Sequence, residues 1–151
     1  MIDVTIDDNQ RRRIENQLQH LQRAISDITP ALRGIGEVLK ESTQQRFADS
    51  TDPKGNKWAD NAAVTIERKG RNQPLVAEGT LADSIAYLIV AAKTLEISSN
   101  LEYAAMMQFG GTKAEFPYLW GDIPARPYLG ISDADEDAIT RIIRSHLETA
   151  I

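Results

Sequence analysis

Ile85-Ala86-Tyr87-Leu88-Ile89-Val90, then Ala91-Ala92-Lys93, then Thr94-Leu95-Glu96-Ile97-Ser98, is the stretch that decides the fold. The first run is rich in β-branched and aromatic residues. A short polar-tipped reversal follows, and the last run alternates apolar with polar. That pattern predicts a β-hairpin. The first run carries apolar groups on both faces, so it predicts a strand covered on both sides. The other long periodic segments have helical spacing. One small antiparallel sheet among helices is an α+β arrangement.

Upstream, Ile2, Val4 and Ile6 alternate with polar residues and predict a short first strand that joins the sheet. Asp7 or Asp8 then caps a helix. Its Ile14, Leu18, Leu21, Ile25 and Ile28 fall at spacings of four and three, one narrow apolar stripe of the heptad kind. Such a stripe either lies on its own core or also packs against a neighbouring subunit. Thr29-Pro30 closes this helix and opens a second, running to about Phe47, with Leu32, Ile35, Leu39 and Phe47 inward. Gly34 and Gly36 weaken it locally and let another backbone come close. Residues 49–57 and 69–74 read as loops, with Trp58 anchoring the returning chain and a short helix at 60–68. The region of about 49–76 is expected to be mobile.

Downstream, Asn100 starts a short helix, Leu101 to Gln108, that closes on Gly110 or Gly111. Residues 112–122 form a loop holding Phe116, Tyr118 and Trp120. Pro124 and Pro127 keep 123–127 extended. Ser132 caps a last helix with Asp133, Asp135 and Glu136 in its first turn and Arg141 and Arg144 later, charges that suit the helix dipole. Ile139, Ile142, Ile143 and Leu147 form its inward face. The expected fold is therefore a single α+β domain over 1–151: a small antiparallel β-sheet covered by an N-terminal helical pair and a C-terminal helix.

Composition narrows the function. The 151 residues carry 42% hydrophobic and 26% charged residues, ordinary for a globular chain with a core of its own. The net charge of −5 comes mostly from residues 101–151 and disfavours general nucleic-acid binding. No stretch approaches the length of a membrane span, and the N-terminus has no basic region followed by an apolar core. Cysteine is absent, so disulfides, thiolate zinc sites and cysteine nucleophiles are excluded. His20 and His146 sit on different helices without partners at metal spacing, so no metal or cofactor is expected. The run Asp133, Asp135, Glu136, Asp137 lacks the glycine and terminal glutamate of a calcium loop and is explained by its helix N-terminus. Gly110-Gly111-Thr112-Lys113 lacks phosphate-loop spacing, and there is no Gly-x-Ser-x-Gly elbow.

Two surfaces remain. Met106, Met107, Phe109, Tyr118, Trp120, Arg126 and Tyr128 concentrate the residue types that dominate protein interfaces. Arg126, between two prolines, is either a contact residue or an internal ion-pair partner of an acid on the last helix. Lys54, Lys57, Arg68, Lys69 and Arg71 form a basic cluster in the middle segment. They are either solvated surface or a contact for DNA or an acidic partner.

Four pieces occur in order: Phe47 with Pro53-Lys54-Gly55-Asn56-Lys57-Trp58; Leu75 with Gly79-Thr80-Leu81-Ala82-Asp83-Ser84-Ile85; Tyr103-Ala104 with Gln108-Phe109-Gly110; and Ile123-Pro124-Ala125-Arg126-Pro127-Tyr128-Leu129-Gly130. Together they resemble the phage virion morphogenesis family, the tail-completion proteins of P2-like and Mu-like tailed phages and of prophages. The resemblance spans nearly the whole chain except the aromatic insert from Lys113 to Asp122. It implies a non-enzymatic structural protein of virion assembly, at or near the head–tail junction. It also implies a homo-oligomeric ring in contact with other tail or neck proteins, formed in the host bacterial cytoplasm and retained in the virion. The alternatives are a DNA-contacting adaptor using the 54–71 basic loop, or a small phage-encoded hydrolase.

Overall fold

The computed structural model describes residues 3–76 and 79–151. Eight elements run in order among them: α1 (Asp8–Ser26), α2 (Thr29–Asp49), α3 (Ala63–Lys69), α4 (Thr80–Asp83), β1 (Ala86–Ala91), β2 (Thr94–Ser98), α5 (Ala104–Phe109) and α6 (Asp133–Glu148). This is the expected α+β fold, with the helical pair at one end of the chain and the last helix at the other.

α2 is the axis of the molecule. Its Leu32, Ile35 and Leu39 are buried against Ile139, Ile142 and Ile143 of α6 and against Ile89, Leu95 and Ile97 of the hairpin. The helix starts with Pro30 in its first turn, where the missing N–H costs nothing. Asp27, not Thr29, acts at the junction: its Oδ1 accepts both the N–H (2.9 Å) and the hydroxyl (2.5 Å) of Thr29. Gly36 faces the ring of Tyr87, and a Cβ there would lie 2.5 Å from it. The glycine thus admits a side chain from β1, where the sequence suggested a second backbone.

The hairpin pairs Ala86 with Ser98, Tyr87 with Ile97, Ile89 with Leu95 and Ala91 with Thr94, with a bulge between Ile89 and Ala91. Tyr87, Ile89, Leu95 and Ile97 are half-buried, whereas Leu88 and Val90 are 62% and 46% exposed. The expectation of a strand covered on both faces is therefore wrong. Among the described residues the sheet has two strands, and α2 covers one face. The predicted first strand does not form over Asp3–Asp7, where Val4 and Ile6 are exposed; Ile2 lies outside the described residues. Two apolar residues without a neighbouring edge to bond cannot hold a strand.

α1 stands apart. A reciprocal capping box between Asp7 and Gln10 opens it, and Arg11 pairs with Asp8 and Glu15 along its own surface. No α1 residue is buried, and every residue from 3 to 20 is exposed. It meets the body at its C-terminal end, where the Ala24 carbonyl lies 3.1 Å from Nε2 of His146. Just beyond it the Ile28 N–H donates to the Ala92 carbonyl at 3.2 Å. Among the described residues no helix is long and apolar enough to cross a membrane.

Candidate functional site

The segment 123–130 is held by the helix that precedes it. α5 ends at Gly110, whose φ of +68° suits glycine. A Cβ there would lie 2.6 Å from the backbone of Ala125 and Ile123, so the two chain segments touch through bare backbone. Gly111 and Ile123 exchange hydrogen bonds at 2.9 and 2.8 Å, and the Arg126 N–H donates to the Met107 carbonyl at 2.9 Å. The Gln108 side chain then substitutes for a strand. Its Oε1 accepts the N–H groups of Tyr128 and Leu129, both at 2.9 Å, and its Nε2 donates to the Leu129 carbonyl at 3.2 Å.

This places Tyr128 inside. It is 1% exposed, packs on Phe47 at 5.1 Å between ring centroids, and donates its hydroxyl to the Ala104 carbonyl at 2.8 Å. Phe47 meets Trp58 edge-on at 5.6 Å, and Trp58 Nε1 donates to the Pro127 carbonyl at 2.8 Å. Burial raises the Tyr128 pKa, so the phenol stays a donor. Tyr128 is therefore a core residue, not a contact surface.

Arg126 is also buried. Its Nε donates to the Ala59 carbonyl at 2.9 Å and its Nη2 to the Asp60 carbonyl at 2.8 Å, which pins the loop after Trp58. Neither sequence reading of Arg126 describes this. It makes no ion pair with the last helix; that bond belongs to Arg46, which reading the sequence overlooked. Arg46 bonds the carboxylate of Asp135 and the carbonyls of Tyr128 (2.9 Å) and Gly130 (3.1 Å). Burial pushes the Asp135 carboxyl up. Hydrogen bonds from Ser132 and Ser42 and the Arg46 charge outweigh that and hold it below the ordinary range. The available signal was spacing: Leu32, Ile35, Leu39, Thr43 and Arg46 share one face of α2, and Asp135 is the third residue of the box capped by Ser132.

Four of the five remaining candidates, Met106, Met107, Phe109 and Tyr118, lie along one cleft. Met106, Met107, Phe109, Phe116, Tyr118 and Ile123 line an open cleft of about 610 Å³. Phe116 and Tyr118 pack edge to face at 5.9 Å, while Phe109 and Tyr118 are 76% and 74% exposed. Trp120 is fully exposed nearby in sequence. Carboxylates rim this region: Glu102 on the cleft, and Glu115 and Asp122 on the adjoining hollow.

The residues of the basic cluster differ in setting. Lys54 and Arg68 are exposed, as is Arg71, whereas Lys57 Nζ is tied to the Asp49 carbonyl at 2.6 Å. Lys69 turns inward to the Gln73 carbonyl at 2.9 Å. The 49–58 turn is closely bonded, with Asp52 accepting the N–H groups of Lys54 and Asn56 and the side-chain amide of Asn56.

Residues 9–148 match the phage virion morphogenesis family. A protein of Escherichia phage Mu named for capsid assembly, protein G, is 32% identical over 93% of this chain and 92% of its own length. Tail completion protein S of Escherichia phage P2 is 24% identical over 93% of this chain and 99% of its own. The Mu-like prophage FluMu G protein 2 of Haemophilus influenzae is 26% identical over 100% of this chain and 99% of its own. No solved structure matches.

Proposed function

Because this chain belongs to the phage virion morphogenesis family, we propose that it is a non-enzymatic assembly protein, acting near the head–tail junction as a homo-oligomer that closes into a ring. The observation that carries self-assembly is α1. Its stripe of Ile14, Leu18 and Ile25 is 44%, 60% and 47% exposed on a helix about 28 Å long by the standard rise. A helix with an apolar face stays helical in water only marginally by itself, and burial of that face stabilises it.

The occupant of that face is a second copy of the chain. α1 carries four arginines (11, 12, 13 and 23) against two acids, Asp8 and Glu15, while the whole chain is at −5. The cleft at Met106, Phe109 and Tyr118 is apolar with a carboxylate rim, so it matches an apolar stripe flanked by arginines. A contact between two different surfaces repeats from copy to copy, and closes into a ring when the rotation allows.

Deleting the gene is expected to leave heads and tails formed but unjoined in electron micrographs; normal infectious particles would overturn the assembly role. The contact is tested in the purified full chain, which has no native cysteine. Mixed Leu18→Cys and Tyr118→Cys proteins should form the mixed disulfide on oxidation. Leu18→Cys pairing only with itself would mean that two α1 helices pair, and would sink the proposed geometry.

A further inference from the structure

Adjoining the aromatic cleft lies a second cavity of about 370 Å³, between α3, Leu75, α4, α5 and the 123–130 segment. Two cations border it, Lys69 from the end of α3 and Arg126 from the extended segment. Among the described residues neither has a carboxylate within ion-pair distance; their side chains donate to backbone carbonyls. Arg126 uses Nε and Nη2 in those bonds, and among the described residues Nη1 has no hydrogen-bond partner. Asp60, the acid that acts on Arg126, accepts from the Asn72 side chain at 2.9 Å instead.

A third group points the same way. Nδ2 of Asn61, on the cavity wall, is buried and has no hydrogen-bond acceptor. An orphan buried donor is destabilising, and so is a buried cation such as Arg126 without a counter-charge. Burial lowers the Lys69 pKa, and the neighbouring charges of Arg71, Arg126 and Arg68 lower it further. Lys69 thus sits in a field that favours a negative charge. The rest of the wall is Leu75, Leu81, Met107 and Tyr103, with the Thr80 hydroxyl at the edge.

We propose that this cavity is a binding site for an oxyanion on an aliphatic stem, a carboxylate of the kind carried by a glutamate side chain. Lys69, Nη1 of Arg126 and Asn61 Nδ2 would hold its oxygens, and Leu81 and Met107 would pack on the stem. The site combines one orphan donor, Asn61 Nδ2, with two cations that have no carboxylate partner among the described residues, and an acceptor-only ligand suits all three. In the assembly reading the carboxylate would come from a partner protein, but the site's chemistry does not rest on that reading.

The test is titration of the purified full chain with glutarate and, separately, with inorganic phosphate, at constant ionic strength set by sodium chloride. Nuclear magnetic resonance follows the Asn61 side-chain amide. Glutarate should shift it saturably, and Lys69→Met should weaken binding about tenfold or more while leaving the fold's spectrum otherwise in place. Asn61→Ala, which removes the orphan donor and is read through the backbone amides of Leu81 and Met107 on the same cavity wall, should weaken it as well and keeps the test open if Lys69→Met misfolds. A linear, non-saturating response, or binding untouched by both substitutions, would overturn the site. Saturable binding of phosphate tighter than glutarate would overturn the carboxylate assignment. Separate heads and tails on gene deletion, together with no anion binding, would leave the assembly role standing and remove only this inference.

Discussion

α1 and α6 begin with the same device and end in opposite surroundings. Each opens with a reciprocal capping box, Asp7 with Gln10 and Ser132 with Asp135. Each carries isoleucines and leucines along one face. On α6 that face packs into Leu32, Ile35 and Leu39 of α2. On α1 it meets solvent along most of its length. Amphipathic spacing identifies the face that needs cover, but does not say what supplies it. In α6 the cover is the chain itself; in α1 the proposed cover is another copy.

The sharpest way to break this contrast is at the ion pair that ties α6 to α2. Arg46→Met leaves Asp135 buried without its cation, and should lower the unfolding free energy by about 3–5 kcal/mol in urea titration. The pH dependence follows from the lowered Asp135 pKa. A carboxyl whose folded pKa lies below its unfolded value adds stability above the ordinary carboxylate range, and loses it as pH falls through the folded value. The gap between wild type and Arg46→Met should therefore narrow on acidification. A constant gap would mean that Asp135 is not the group responsible.

Next in size is a matched pair of truncations. Ile142→Ala, half-buried against α2, should cost about 2 kcal/mol, while Leu18→Ala on α1 should stay within about 0.5 kcal/mol in the monomer. Equal losses would show that α1 is covered within its own chain. The caps make a finer comparison. Ser132→Ala should cost about 1 kcal/mol of global stability, whereas Asp7→Ala should reduce helical circular dichroism without moving the main unfolding midpoint. The smallest effect on stability is expected for Leu18→Asp, which should leave the midpoint nearly unchanged. Loss of self-association in light scattering should be its main consequence.

Much of the fold was legible because its signals are local. The hairpin, the stop at Thr29-Pro30, the Ser132 cap and the glycine closing α5 each depend on residues within a turn or two of one another. The misreadings involve partners far along the chain. Tyr128 and Arg126 look like contact residues because aromatic and arginine side chains favour interfaces. Their burial depends on Gln108, twenty positions away, and on the loop at Ala59 and Asp60. The Arg46–Asp135 pair spans 89 positions, and no short-range pattern joins its halves. β1 reads as a doubly covered strand because its outward Leu88 and Val90 are as apolar as its inward residues.

Family membership follows from the residues themselves, and five of the six helices and the hairpin follow from capping, turns and periodicity, which near neighbours set whatever the rest of the chain does. Tertiary packing alone decided which apolar face found a partner, which arginine met a carboxylate, and which polar atoms were left without one. Those outcomes depend on long-range approach and on desolvation, and neither is encoded in the spacing of any single segment.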